Sequence, residues 1–120
     1  MSYIIEPYET ESGNVPLKKF LSELAESGNL KETAVIQLFL GRLETFGLKM
    51  NMHFPDSIKK LRGEIFELRP GGSRILFFSI SSEYKFILLH GFKKKSQKTP
   101  QKEIDRAEQE LKDYKRRCMK

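Results

Sequence analysis

Three runs of residues with β-strand composition follow one another closely between residues 63 and 92. They read GEIFELR (63–69), RILFFSI (74–80) and KFILLHGF (85–92), and they are rich in Ile, Leu and Phe. PGGS joins the first pair and SSEY the second, and a connection of four residues can join only antiparallel neighbours. The sequence therefore predicts an antiparallel meander, around which the rest of the chain must fold.

The segment before the meander predicts one further strand and two helices. Residues 3–8 (YIIEPY) are expected to form the strand. Apolar residues recur at helical spacing from Val15 to Ser27 and again from Asn29 to about Phe46, and Gly28 and Gly47 end the two helices. These helices should form an antiparallel hairpin. The predicted buried residues are Leu17, Phe20, Leu21 and Leu24 in the first helix, and Val35, Leu38, Phe39, Leu43 and Phe46 in the second.

Residues 49–57 are expected to be irregular, and a last helix is expected to begin at Thr99-Pro100, because proline is favoured in a first helical turn. The resulting order is β-α-α-β-β-β-α, which indicates an α+β fold in one domain, 1–120. Its antiparallel sheet would carry the helical hairpin and the C-terminal helix on one face. The apolar stripe of the last helix is Ile104, Ala107, Leu111, Tyr114 and Cys118.

Several classes of protein and site are disfavoured. No apolar run approaches the roughly 20 residues that span a bilayer, and MSYIIEPYETES does not resemble a secretory signal, so the cytoplasm is the expected location. A lone Cys118 allows neither an internal disulfide nor a cysteine metal cluster. His53 and His90 lie far apart, without metal-ligand spacing. We therefore expect no metal and no cofactor.

Positive charge is concentrated in one third of the chain. Between Lys59 and Lys102 there are eleven Lys and Arg residues and three acidic residues, a net charge of +8, whereas the whole chain carries +6. Such clustering is typical of proteins that bind a phosphate-rich partner, although a solvated basic surface would have the same composition.

Two arginines flank the first turn of the meander, in the sequence ELRPGGSR. A four-residue loop closed by Arg69 and Arg74 would place them directly opposite each other, where like charges are destabilising unless an anion lies between them. We therefore predict an anion site. The other candidate cations are Lys59, Lys60 and Arg62 before the meander, and Lys93, Lys94, Lys95 and Lys98 after it.

A cationic site of this kind could cleave RNA without metal. A base would remove the proton from the 2′-hydroxyl, that oxygen would attack the adjacent phosphorus, and arginines would stabilise the charge of the transition state. His90 is the histidine best placed to take part. The alternative for His90 is a buried residue bonded to the backbone.

Three blocks of this sequence resemble the conserved blocks of the RelE/HigB toxins of type II toxin–antitoxin modules. They read KKLRGEIFELR, RILFF and LLHGFKKKSQKTPQKEIDRA, within residues 58–107, and they are most similar to the phage-derived, HigB-like branch. The resemblance implies a microbial-RNase (RelE-like) fold and a ribosome-dependent mRNA endonuclease, or mRNA interferase. It also implies inhibition by a HigA-like helix-turn-helix antitoxin in a hetero-oligomer that binds operator DNA through the antitoxin.

The resemblance assigns roles to individual residues. Arg69 and Arg74 match the paired arginines that hold and polarise the scissile phosphate, and Lys93 and Lys95 match basic positions that assist catalysis and hold RNA. His90 belongs to the third block, without a definite role. Substrate or ribosomal RNA is expected to be bound by Lys60 and Arg62, with Lys59, Lys94 and Lys98 extending the same basic surface.

The C-terminal tyrosine that orients substrate in some relatives has no clear match here, since Tyr114 falls on the apolar stripe of the last helix and is predicted to lie in the core. The general acid and base therefore stay open. Two other functions remain possible. One is a ParE-like toxin that inhibits DNA gyrase and cleaves no RNA, and the other is an inactive RNA-binding domain. The paired arginines and the lysine-rich loop favour the nuclease.

Overall fold

The computed structural model describes residues 2–119, which form one five-stranded sheet and four α-helices. The strands are β1 (Ile4–Pro7), β2 (Ile58–Arg62), β3 (Ile65–Leu68), β4 (Ser73–Ile80) and β5 (Lys85–Lys93). The helices are α1 (Pro16–Glu26), α2 (Leu30–Phe46), α3 (Met50–His53) and α4 (Gln101–Cys118), and short 3₁₀ turns cover Gly47–Lys49 and Ser81–Glu83.

The predicted meander is confirmed as β3, β4 and β5, but the sheet has a strand that the sequence did not predict. The strand order is β1-β5-β4-β3-β2, with β1 parallel to β5 and all other pairs antiparallel. The unpredicted strand is β2, which was expected to be only a basic lead-in to the meander. Its residues Lys59 and Lys60 are exposed because β2 lies at the edge of the sheet. An edge strand protected by lysines lacks the apolar alternation on which strand prediction depends.

Helices cover both faces of the sheet, so the expectation that all of them pack on one face was wrong. Strand β4 is buried at seven of its eight positions and β5 at residues 86–90, and strands that are buried on both sides need a layer on each face. The core under α1 and α2 contains Leu17, Leu24, Ile36, Leu43, Leu68, Ile75, Phe77, Phe86 and Leu88. The core under α4 contains Tyr8, Ile65, Leu76, Phe78, Ile80, Ile87, Leu89, Ala107 and Tyr114.

The helical hairpin is present as predicted, with one difference in its buried face. Leu38 has 51% of its surface exposed, whereas Ile36 is fully buried. The buried stripe of α2 therefore runs through Ile36 and Leu43, which are seven positions apart.

Residues 49–57, which were expected to be irregular, contain the end of a 3₁₀ turn and α3. Asn51 holds the chain that follows, because its Oδ1 accepts the N–H groups of Ser57 and Ile58 at 2.9 Å and its Nδ2 donates to Ile58 O at 2.8 Å. Ser57 O in turn accepts the backbone N–H of Arg69 at 2.9 Å. This segment therefore fixes the backbone at the start of the turn that carries the two arginines.

Helix α4 is anchored to the second face of the sheet along its length. Tyr114 is buried against Phe78, as predicted, and its hydroxyl donates to Glu6 at 3.1 Å. Tyr8 donates its hydroxyl proton to Asp113, which also accepts from Arg117. Within residues 2–119, no helix has the length and apolarity that a membrane crossing requires.

Candidate functional site

The candidate site is built around a buried carboxylate, that of Glu67, on the face of the sheet covered by α4. Glu67 is only 2% exposed. Its Oε1 lies 3.7 Å from Arg69 Nε and 3.9 Å from Arg74 Nε. The carboxylate therefore stands between the two guanidinium groups and offsets the repulsion that their proximity would cause.

The turn leaves the two arginines at the end of the ladder between β3 and β4. That ladder ends at Leu68 opposite Ile75, so Arg69 and Arg74 are the next positions on the two strands, and the N–H of Arg69 donates to Ser57 O on the β2 side. Ser73 N–H donates to Pro70 O at 3.0 Å and closes the turn. The two arginines therefore flank the closed turn, and the side chain of Glu67 lies near both of them.

Arg74 is held firmly in this turn. Its Nη1 donates to Gly71 O at 3.1 Å and to Ser73 O at 2.7 Å, and its side chain is 8% exposed. Burial lowers the pKa of Arg74 from its ordinary value, the charge of Glu67 opposes this shift, and the charges of Arg69 and Glu32 act in opposite directions. Arg74 is therefore a cation in a poorly hydrated place, where an approaching anion would interact with it strongly.

Arg69 supplies a second indication of an anion site. Its Nε is buried and, among the described residues, has no hydrogen-bond partner, because Glu67 at 3.7 Å is too distant for a hydrogen bond. A buried N–H donor without a partner is costly, and such donors are rare in folded proteins. The protein therefore leaves the guanidinium of Arg69, whose side chain is 24% exposed, incompletely satisfied.

Thr99 connects the site to the start of α4. Its hydroxyl donates to Glu67 Oε2, so the two carboxylate oxygens have different partners. Thr99 immediately precedes Pro100, which caps the helix. The orientation of the Glu67 carboxylate therefore depends on how α4 docks against the sheet.

His90 and Glu67 lie on the same face of the sheet, on either side of β4, since both are paired with Leu76 of that strand. It is 1% exposed, and its Nδ1 and Nε2 lie 2.6 Å from Glu110 Oε1 and 3.0 Å from Glu103 Oε1. The structure thus places two carboxylates of α4 around the ring, where the sequence suggested either an open catalytic group or a bond to backbone. His90 fastens α4 to β5.

The lysines and Arg62 divide between the two faces of the sheet. Lys59 pairs with Glu67 across β2 and β3, so both lie on the α4 face, whereas Lys60 pairs with Phe66 on the other face. Arg62 is engaged by α4, with its Nη2 at 2.7 Å from both Asp105 and Glu108. Part of the positive charge counted in the sequence is therefore neutralised by acidic residues of α4.

The four lysines between residues 93 and 98 differ in their surroundings. Lys93 pairs with Ser73 and lines a cavity with Phe20 and Glu23, so its side chain lies on the α1 face. Lys94 donates its backbone N–H to Gly72 O at 2.8 Å. Lys95 and Lys98 are exposed in the loop that leads from β5 to α4.

Two residues of the site, Glu67 and Thr99, were not identified from the sequence. Glu67 is one of only three acidic residues between Lys59 and Lys102, and it lies two positions before Arg69 on the same side of an alternating strand. That spacing could have indicated an ion pair. Nothing local to Thr99 indicates its partner, which lies 32 positions earlier. Within the described residues 2–119, no group of three or more His, Cys, Asp or Glu side chains could hold a metal ion.

Comparisons with known proteins agree with this architecture. Residues 20–112 match the family described as phage derived protein Gp49-like (DUF891). A chain of the archaeal RelE–RelB complex from Pyrococcus horikoshii OT3 superimposes with a TM-score of 0.58, covering 82% of this chain and 100% of that one at 17% sequence identity. No curated protein matches this chain significantly. At that identity the solved structure shows the fold alone, and the predicted RelE-like α+β fold is confirmed.

Proposed function

The chain belongs to the family of Gp49-like phage-derived proteins, which is of RelE/HigB type, and we propose that it is a toxin that cleaves mRNA on the ribosome without a metal ion. The observation that carries the proposal is the Arg69–Glu67–Arg74 cluster, with its unpartnered guanidinium N–H. In this proposal the scissile phosphate binds at the arginine pair, through the guanidinium of Arg69, whose side chain is 24% exposed.

The chemistry follows from the charges around that phosphate. Glu67 accepts the proton of the 2′-hydroxyl, whose oxygen then attacks phosphorus and forms a 2′,3′-cyclic phosphate. The bond to the 5′ oxygen breaks, and that oxygen takes a proton from a lysine. The extra negative charge of the transition state is stabilised by Arg69 and Arg74. A carboxylate near a bound phosphate weakens ground-state binding, and this repulsion is relieved in the transition state when the carboxylate takes up a proton.

The other cations serve to hold RNA in this proposal. Lys59 extends from the same face as Glu67, while Lys95 and Lys98 occupy the exposed loop before α4. These side chains would bind phosphates on either side of the cleaved bond and make binding sensitive to salt. His90 has a positioning role, because both of its ring nitrogens contact carboxylates of α4.

A toxin of this kind must be neutralised in the cell that makes it. The solved relative was crystallised as a RelE–RelB complex, which supports a protein antitoxin as the partner of this chain. We propose a HigA-like helix-turn-helix antitoxin that binds operator DNA and carries the toxin with it. Because ribosomes and mRNA are the targets, the toxin would act in the cytoplasm.

The test is expression of the chain without an antitoxin. Wild type should arrest growth, and Arg74→Ala should restore it, since removal of a phosphate-binding arginine costs roughly a hundredfold or more in rate. Arg116→Ala is the matched control, because it removes the same charge from the far end of α4, where the side chain is exposed. Growth arrest by a folded Arg74→Ala protein, equal to that by wild type, would show that the arginine cluster is not the active site.

A further inference from the structure

One edge of strand β5 is covered along only half of its length. The parallel strand β1 pairs with residues Lys85 to Leu88, and the last contact is the N–H of Tyr8 donating to Leu88 O at 2.8 Å. The chain then turns toward the end of α4, where Glu9 O accepts from Arg117. The second half of β5 continues to Lys93 without a neighbour on that side, among the residues that the structure describes.

The ladder with β4 determines which backbone N–H and C=O groups of β5 point toward the open edge. Lys94 N–H donates to Gly72 O. Because hydrogen-bonded pairs alternate along an antiparallel ladder, Phe92 and His90 are the next residues of β5 whose backbone groups bond to β4. The intervening residues, Gly91 and Lys93, direct their N–H and C=O groups away from β4. The edge therefore presents two donors and two acceptors at strand spacing.

A groove runs along these groups. A cavity of about 640 Å³ lies between the start of α1 and α4, and Gly91 and Arg106 are among its lining residues. A second cavity of about 270 Å³ shares Phe20 and Glu23 with the first and extends to Lys93. Gly91 brings its backbone close to the ring of Phe20, since a Cβ at that position would lie 2.5 Å from Phe20 Cδ2. The two cavities thus form one open groove, and the residues with unpaired backbone groups, Gly91 and Lys93, lie along it.

We propose that the open edge of β5 at Gly91 and Lys93 binds an extended, acidic segment of the neutralising antitoxin, which adds to the sheet as a strand. This inference rests on the proposed function for the identity of the partner. Lys19, Lys93 and Arg106 line the groove and would pair with acidic side chains of that strand.

A polypeptide fits this edge better than RNA does. A nucleic-acid backbone offers phosphate oxygens, which accept but do not donate, so the carbonyl groups of Gly91 and Lys93 would face like partial charges. An added β-strand supplies a donor for each carbonyl and an acceptor for each N–H.

A segment bound at this edge would affect the candidate active site, because β5 is paired there with the strand that carries Arg74. Phe92 is paired with Arg74, and Lys93 is the neighbour of Phe92 in β5. A strand on the outer edge would fix the end of β5 and cover Lys93, at the start of the loop that carries Lys95 and Lys98. The antitoxin would thereby restrain the RNA-binding loop without entering the arginine cluster.

The experiment compares Lys93→Pro with Lys93→Ala. Proline removes the outward N–H of residue 93 and is tolerated at such an edge, whereas alanine removes the side chain and keeps the N–H. The probe is the antitoxin whose co-expression rescues growth, measured with the purified full-length chain. Lys93→Pro should weaken binding roughly tenfold relative to Lys93→Ala. Amide exchange at Gly91 and Lys93 should also slow at least roughly tenfold in the complex, while that of Phe92, already bonded to β4, should change little.

The possible outcomes separate this inference from the proposed function. If the antitoxin binds Lys93→Pro and Lys93→Ala equally and leaves the two amides exposed, the edge is not its binding site, although the toxin assignment stands. If RNA alone protects the two amides, the occupant is RNA and the inference is wrong. If wild type arrests no growth and no antitoxin binds it, the proposed function fails and this inference fails with it.

Discussion

Replacement of Glu67 by glutamine should slow mRNA cleavage while tightening RNA binding. The substitution keeps the shape of the side chain and an oxygen that can accept from Thr99, but it removes the charge that lies 3.7 and 3.9 Å from Arg69 and Arg74. In the proposed mechanism it also removes the group that accepts the 2′-hydroxyl proton. Loss of a general base lowers a rate by roughly 10²- to 10⁴-fold.

The cost in stability can be estimated from the same contacts. At an effective dielectric constant near 20, each pair about 4 Å apart contributes about 4 kcal/mol of gross Coulomb energy, and desolvation of the buried charges cancels much of it. Because both distances exceed hydrogen-bonding range and Arg69 is 24% exposed, we expect a net loss of about 2 kcal/mol, below the roughly 3–5 kcal/mol of a tightly bonded buried pair. That loss would lower Tm by roughly 8 °C.

A loss of this size in the free energy of unfolding is too small to affect the cleavage assay. A domain with a free energy of unfolding of about 5 kcal/mol or more would still be over 99% folded after losing about 2 kcal/mol. A hundredfold fall in cleavage therefore could not come from unfolding. Cleavage is measured on mRNA in a translation reaction, and binding on an RNA with 2′-deoxy nucleotides, which cannot react. The affinity of that RNA should rise a few-fold, because phosphate no longer meets a carboxylate.

Glu83→Gln is the matched control. It changes the net charge equally in an exposed 3₁₀ turn, where Glu83 forms an ion pair with Lys85 at 3.4 Å, and it should alter neither cleavage nor RNA affinity. The reasoning is refuted if folded Glu67→Gln protein cleaves within about threefold of the wild-type rate, since Glu67 would then be only a counter-ion of the arginines.

Two further predictions concern stability. Burial raises the pKa of Tyr8 and of Tyr114 to about 12, so each hydroxyl stabilises the fold fully below its unfolded pKa near 10, and this contribution is lost as the pH rises to about 12. The alkaline fall in Tm should be shallower in Tyr8→Phe and Tyr114→Phe proteins than in wild type, and an unchanged slope would contradict the assignment. Gly91→Ala should cost about 1–3 kcal/mol in urea unfolding, because its Cβ would collide with Phe20. Gly41→Ala, on an open surface of α2, should instead be neutral or stabilise by up to about 1 kcal/mol, and equal effects at the two glycines would argue against the close contact.

The parts of the fold that the sequence predicted are those determined by local chemistry. The turns at residues 70–73 and 81–84, with strongly apolar runs on either side, allow only a meander, and Gly28 and Gly47 mark where the helices of the hairpin end. Strand β2 was missed because an exposed edge strand has charged residues where an internal strand has apolar ones. The second helical layer could have been expected, since uninterrupted apolar runs in β4 and β5 leave no face for water.

The candidate site was predictable in charge but not in pairing. Clustered cations and the two arginines of ELRPGGSR are visible in the sequence, and an anion site could be inferred from them. Which acids neutralise which bases depends on tertiary contacts: Arg62 meets Glu108 of α4 across 46 positions, and His90 meets Glu110 across 20. Such contacts follow from the docking of α4, whose apolar stripe was predicted but whose position on the second face of the sheet was not.

The most direct test of the central claim is a map of mRNA ends after brief expression of the chain without antitoxin. Primer extension on translated transcripts should find new ends within coding regions of wild-type samples, and they should disappear with Arg74→Ala and when translation is blocked before induction. Cleavage should leave 5′-hydroxyl and cyclic phosphate ends. Intact transcripts together with accumulated gyrase–DNA breaks would contradict the account and identify a toxin of the gyrase-inhibiting kind.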